Sequence, residues 1–232
     1  MKTVAISQSN YIPWRGYFDL INSVDEFILY DDMQFTKRDW RNRNTIKTSN
    51  GLLWLTIPVK VKGKFLQKIN ETEIDGSDWA EKHWKTIKMN YSKAPHFREL
   101  ENFVQTIYEE AASKPLLTEV NVLFLNKICS FLGIRTPIRN SAEFILAEGK
   151  TERLVDICKQ TKATKYISGP AAKEYLEEQQ FFNQKIDVEW MNYNGYKSYT
   201  QLWGDYQPSV SIIDLIFNSG KNSMNLLQKA VP

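Results

Sequence analysis

Only two cysteines, Cys129 and Cys158, occur in the 232 residues. Both fall in apolar helical patterns. They read as small buried hydrophobes, not as a disulfide framework or metal site, and imply a reducing compartment. Histidine is as scarce, with His83 and His96 alone, and no spacing of Cys, His, Asp or Glu matches a metal-ligand set. The nucleophile elbow G-x-S-x-G and the dinucleotide turn G-x-G-x-x-G are both missing. Gly149-Lys150-Thr151 matches the end of a phosphate-binding P-loop, but Phe144 stands where the upstream glycine is required. No apolar run reaches membrane-spanning length, and MKTVAISQSNYIPW lacks an apolar leader stretch, so a cytoplasmic chain without a membrane span is expected. The net charge of +3 is too small for the broad basic face that nucleic-acid binding needs. Internal repeats and low-complexity linkers are also missing.

What the chain does contain is enough apolar material for a core, 42% against 25% charged, as in ordinary globular proteins. The length suits one α/β domain over 1–232, with a mostly helical subdomain at about 77–132. The chain is organised around residues 30–47, YDDMQFTKRDWRNRNTIK. Lys37, Arg38, Arg41, Arg43 and Lys47 crowd into its second half, interleaved with Trp40, Asn42 and Asn44 and preceded by Asp31, Asp32 and Gln34. Arginine offers a planar fork of donors to phosphate oxygens, and Asn and Gln orient neutral groups, so the stretch reads as a grip on a phosphorylated ligand. A basic surface loop is the alternative reading.

Residues 2–7 and 26–30 are short, apolar and β-branched, and the intervening residues 14–23 have helical periodicity. This βαβ unit predicts parallel strands in a Rossmann-like parallel or mixed sheet, with ligands at the strands' carboxyl ends. Gln8, Tyr11, Arg15, Asp31 and Gln34 should then line one pocket with Arg41 and Arg43. Gly16, in the first helical turn, permits close approach of a backbone or ligand. Further on, residues 52–60 read as a strand, and VKVKGK as a lysine hairpin returning through 65–74. Those lysines serve either phosphate binding or edge protection. Helices follow over 77–88 with Ser77 as N-cap, 97–112 and 116–131, the last closed by Gly133. His83 borders an apolar helix face beside Trp79 and Ile87, and is a proton-transfer candidate or a structural histidine. The α/β pattern resumes with a strand within 136–144, a helix over 151–160, a strand over 165–168 and a helix over 171–178. Ser168-Gly169 at that turn forms a candidate anion nest. A strand over 186–190, a tyrosine-rich stretch over 191–203 suited to a sugar or base, and a final helix closed by Gly220 complete the chain. The last dozen residues read as frayed.

QSNYIPWRGYF and YDDMQFTKRDWRNRNTIKT resemble the WbqC-like family, as do KATKYISGPAAKEY and QPSVSIIDLIFNSG. The resemblance runs nearly end to end. The family is associated with bacterial polysaccharide and O-antigen gene clusters. Many members carry a histidine before the first-loop glutamine; Ser7 stands there in this chain, so no histidine role is assigned. The layout is also similar to nucleotidyltransferase-type Rossmann folds, whose His-x-Gly-His turn is here Trp14-Arg15-Gly16-Tyr17, with the glycine kept and both histidines missing. The resemblance implies an enzyme modifying a nucleotide-linked amino sugar, by acyl or aminoacyl transfer, or else a non-catalytic binder of a nucleotide sugar or phosphorylated glycan. Arg41, Arg43 and Lys47 would hold diphosphate or ATP phosphates. Asp31 or Asp32 would bind the sugar amine, act as base or hold Mg²⁺. Arg15 would contact phosphate. Gln8, Tyr11, Trp14, Gly16, Gln34, Lys37, Arg38 and Asn42 complete the expected substrate contacts. No cofactor or resident metal is assigned.

Overall fold

The computed structural model describes residues 1–227. Five strands form one parallel sheet: β1 (Thr3–Ser7), β2 (Glu26–Leu29), β5 (Ile138–Asn140), β6 (Lys165–Ser168) and β7 (Asp187–Trp190). Their spatial order is β5-β2-β1-β6-β7, with Ala5 opposite Phe27 on one side and Ile167 on the other. Numbered among themselves the strands run 3-2-1-4-5, the doubly wound order of Rossmann folds. The chain is therefore α/β, as the βαβ reading expects.

The period-two alternation of a strand explains how both faces are covered. Ala5, Phe27, Leu29 and Ile167 point into the larger apolar cluster, while Val4, Ile6, Ile28 and Tyr166 point into the smaller one. The larger cluster is completed by α1 (Arg15–Asn22), α2 (Trp79–Tyr91), α3 (Phe97–Ala111), α4 (Leu117–Leu132) and α7 (Ile212–Ser219). The smaller is completed by α5 (Lys150–Gln160) and α6 (Glu178–Phe182). Gly133 ends α4 with φ +77°, the left-handed C-cap glycine favours. The Ser211 side chain accepts the Ile213 N–H at the start of α7. Cys129 and Cys158 are buried on α4 and α5 as free thiols.

Several boundaries differ from expectation. The basic stretch is not all loop: Arg43–Thr48 is strand β3, paired antiparallel with β4 (Gly51–Thr56). Ile46 and Leu55 bury themselves in the larger cluster and hold this hairpin. The lysine hairpin does not form. Val59 and Ile74 share a single bridge, Ile69–Glu71 is a 3-10 turn, and Glu73 binds Lys60 and Lys64 at 2.7 and 2.5 Å. Helix α2 begins at Trp79 with Asp78, not Ser77, at the N-cap. The expected helix over 171–178 is instead a 3-10 turn, Pro170–Glu174, followed separately by α6. Near the C-terminus, Gly220–Asn222 is a 3-10 turn and Ser223–Leu227 forms a helix, α8, with Leu227 fully buried; residues 228–232 of the stretch read as frayed lie outside the described residues. No helix among the described residues is long and apolar enough to cross a membrane.

Candidate functional site

The strand order reverses between β1 and β6, and the chains leaving their carboxyl ends, Ser7-Gln8 and Ser168-Gly169, diverge there. Open α/β sheets bind ligands in that gap. A crevice of about 460 Å³ occupies it. Ile6, Ser7, Gln8, Ser168 and Gly169 form the floor at the two strand ends. Trp14 and Tyr17 close it from the start of α1, Tyr30 and Met33 from the exit of β2, and Lys150 and Leu154 from the first two turns of α5. Arg41, Tyr175 and Tyr193 complete the rim. A depression of similar volume, about 480 Å³, borders α1 and the β6–β7 edge. Lys165 and Glu189 along it are already paired at 2.7 Å, and it lies at the amino ends of β1 and β6, Thr3 and Lys165, not at their carboxyl ends.

The chemistry of the crevice is one-sided. Its charged groups are two cations, Arg41 and Lys150, and no carboxylate, imidazole or thiol lines it among the described residues. The tyrosines add neutral hydroxyls. Burial raises the pKa of Tyr17, Tyr30 and Tyr175, and pushes Tyr193 up to about 12. The Arg41 guanidinium offsets part of this at Tyr17 and Tyr175. Tyr17 donates to the Gln8 carbonyl at 2.8 Å, and Tyr166 to the Ser168 hydroxyl at 3.1 Å. The buried Tyr30 hydroxyl makes no hydrogen bond of good geometry, although Arg153 is close enough to offset part of its burial. A crevice with cations, hydroxyl donors and flat aromatic walls suits an anionic ligand carrying a ring.

Of the residues expected from sequence, Gln8, Trp14, Arg41, Ser168 and Gly169 meet here. Arg41 is held by the Asn10 side-chain oxygen and lies 3.6 Å from Asp39. The single pocket expected for Gln8, Tyr11, Arg15, Asp31, Gln34, Arg41 and Arg43 does not assemble. Tyr11 is fully buried, its hydroxyl between His83 Nδ1 at 2.9 Å and the Tyr108 hydroxyl at 2.7 Å. His83 lies on the buried face of α2, where burial pushes its pKa down to about 4. Arg15 turns away to the C-terminal segment: it donates to the Lys197 and Leu226 carbonyls at 2.8 and 3.3 Å and packs over the Tyr196 ring at 4.7 Å. Gly16 makes room for the indole of Trp14, not for a ligand.

The acidic pair is likewise spent on the scaffold. Asp31 is fully buried and accepts the Ser9 N–H at 2.7 Å and the Thr118 hydroxyl, joining the loop after β1 to α4. Asp32 accepts from Asn70 at 3.2 Å and from Ser141. Gln34 donates to the Phe65 carbonyl and Asn42 to that of Ile57, both at 2.9 Å. Lys37, Arg38, Asn42 and Arg43 border a separate depression of about 220 Å³. Arg43 lies 4.1 Å over the Trp54 ring. Lys47 is buried and donates to the Gln201 side chain at 2.9 Å, the Gly204 carbonyl at 3.3 Å and the Asp205 carbonyl, anchoring the loop before α7. No group of three or more His, Cys, Asp or Glu side chains among the described residues can hold a metal ion.

Lys150, Tyr30 and Tyr175 line the crevice without having been singled out as contacts. Lys150 carried a signal, a lysine directly after a glycine at a helix start, which survives rejection of the P-loop itself.

The chain is 57% identical over 228 residues to the uncharacterized protein Rv1507c of Mycobacterium tuberculosis, covering 98% of each chain. No solved structure matches it. Residues 8–226, from the first crevice glutamine to the C-terminal segment that holds Arg15, match one family model, and the chain thus belongs to the WbqC-like protein family.

Proposed function

We propose that the crevice binds a nucleotide-linked sugar used in bacterial surface-polysaccharide biosynthesis, in the cytoplasm where such precursors are made. The observation that carries this reading is that two cations, Arg41 and Lys150, both line the crevice at the strand switch point, with no acidic side chain among its lining residues. The diphosphate lies between these cations, and the ring systems lie against Trp14, Tyr175 and Tyr193. The proposed reaction is acyl or aminoacyl transfer from an ATP-activated acid to the amine of the bound amino sugar: the amide C–N bond forms, the activating phosphate or AMP leaves the acyl carbon, and the amine loses its proton. A second reading, recognition without turnover, is favoured because no carboxylate, imidazole or thiol among the described residues lines the crevice to take the amine's proton. Calorimetric titration with UDP-, GDP- and dTDP-linked sugars tests the binding. Incubation of each with ATP and candidate acids, followed by mass spectrometry, separates transfer from recognition. Absence of binding by every nucleotide sugar would overturn both.

A further inference from the structure

Beside the crevice lies a smaller cavity of about 210 Å³, walled by Asn10, Pro13, Trp14, Trp40, Asn44 and Ser209. Two residues join the cavities. Trp14 lines both, and the Asn10 side-chain oxygen accepts the Arg41 guanidinium. On the solvent side stands Trp40, 44% exposed, its ring tilted against that of Trp54 with centroids 5.4 Å apart. Trp54 is 43% exposed and carries Arg43 on its ring. The Trp40 backbone is fixed at both ends: its N–H donates to Asp39 Oδ1 at 2.7 Å, and its carbonyl accepts the Tyr11 N–H at 3.0 Å. The second of these bonds ties the backbone beneath the indole to the loop after β1.

Two neighbouring indoles that stay more than two-fifths exposed forgo part of the gain of burying their faces. The ring face is electron-rich, so it suits a flat, weakly positive surface of C–H groups. The neighbouring polar groups point to the same partner. The Asn10 side-chain NH₂ and the Ser209 hydroxyl make no hydrogen bonds among the described residues and lie on the cavity wall. No charged side chain among the described residues lines the cavity, so a phosphate finds no counter-charge within it. Its volume is below the roughly 300–1,000 Å³ of sites for drug-sized ligands, which limits it to one ring.

We infer that this cavity is a pyranose subsite, holding one neutral sugar ring of a glycan stacked on Trp40 with its hydroxyls on Asn10 and Ser209. The inference needs nothing from the nucleotide reading of the crevice.

Saturation-transfer NMR with diacetylchitobiose and the methyl glycosides of glucose, galactose, mannose and rhamnose tests it on the full chain. At least one probe is expected to receive saturation at its ring C–H protons. Trp40→Ala should weaken that probe by about tenfold or more, and Trp40→Phe, which keeps a ring, by about threefold or less. Ser209→Trp fills the cavity from its exposed rim and should abolish binding, and it carries the test if Trp40→Ala fails to fold. Adding UDP should leave the sugar signal in place. Silence from every glycoside, undiminished binding by Trp40→Ala or Ser209→Trp, or displacement of the sugar by UDP would each overturn the subsite. So would binding of free uridine or adenosine that depends on Trp40 where no glycoside binds, because a base stacks on the same indole. Sugar binding without any UDP binding would support this subsite while overturning the crevice reading.

Discussion

The indole of Trp14 fills the space into which a Cβ on Gly16 would project. In Rossmann sheets, glycine in the first βα turn lets the backbone approach a pyrophosphate. Here the chain's own tryptophan takes that room, and the cations of the crevice come from Arg41 and from Lys150 at the start of α5. Gly16→Ala must displace the indole, an overpacking that costs about 1–3 kcal/mol. Urea unfolding should show the loss in Gly16→Ala and a smaller loss on adding the same change to a Trp14→Ala background. Equal losses in the two backgrounds would deny the contact.

Arg41 should respond to a change of shape at constant charge. A charge-assisted hydrogen bond contributes about 1.5–3 kcal/mol, so Arg41→Ala should weaken nucleotide-sugar binding roughly ten- to hundredfold. Arg41→Lys should recover only a minor part, because an ammonium lacks the bidentate fork. Lys60→Ala, at the exposed Lys60–Glu73 pair, should leave affinity unchanged. Calorimetry on the three variants, with melting curves as folding controls, decides this.

Asp31 should prove a scaffold residue. Asp31→Ala strands the Ser9 N–H and the Thr118 hydroxyl in the interior, at a cost of about 3 kcal/mol for two unsatisfied donors. Stability in urea should fall by that order, while the ligand affinity of the folded fraction stays near wild type. A stable Asp31→Ala protein that has lost binding would restore the carboxylate to the site.

His83 predicts a pH dependence. Its ordinary pKa of 6.5 is lowered to about 4 by burial, partly offset by a hydrogen bond with the Thr56 backbone. Between those values the unfolded chain binds the proton and the folded one does not. This stabilisation is complete above about pH 6.5 and declines as pH falls towards 4, by up to about 3 kcal/mol in all. Urea unfolding from pH 4 to 7 should show a slope for the wild type that His83→Gln reduces. Identical slopes would mean that the ring protonates freely in the fold.

The parallel core was legible because β1, β2 and β6 are short apolar runs bounded by polar loops, and their carboxyl ends already bring Gln8 and Ser168 together. Strand β3 was hidden because Arg43–Thr48 carries one aliphatic residue, Ile46; its partner β4 and the helices beneath it decide the conformation. Local chemistry also could not tell a cation that faces ligand from one that holds a loop. Arg15 and Lys47 look like phosphate ligands in the string, yet each spends its donors on carbonyls more than 150 residues away. Tyr30 and Tyr175 reach the crevice through the same long-range topology, which no short window contains.

The position of β1 in the middle of the sheet has a consequence for biosynthesis. Its pairing with β2 is nearby in the chain, but Thr3 meets Lys165 on its other side. While the hairpin, α2–α4, β5 and α5 are being made, the second edge of β1 has no strand to join. An unpaired edge with Val4 and Ile6 on it is a template for foreign strands, and so distant a closure slows folding. The crevice shares this timing, since Ser168 and Gly169 form part of its floor. A ligand held there can stabilise the finished sheet by mass action, but it arrives too late to guide the nascent chain.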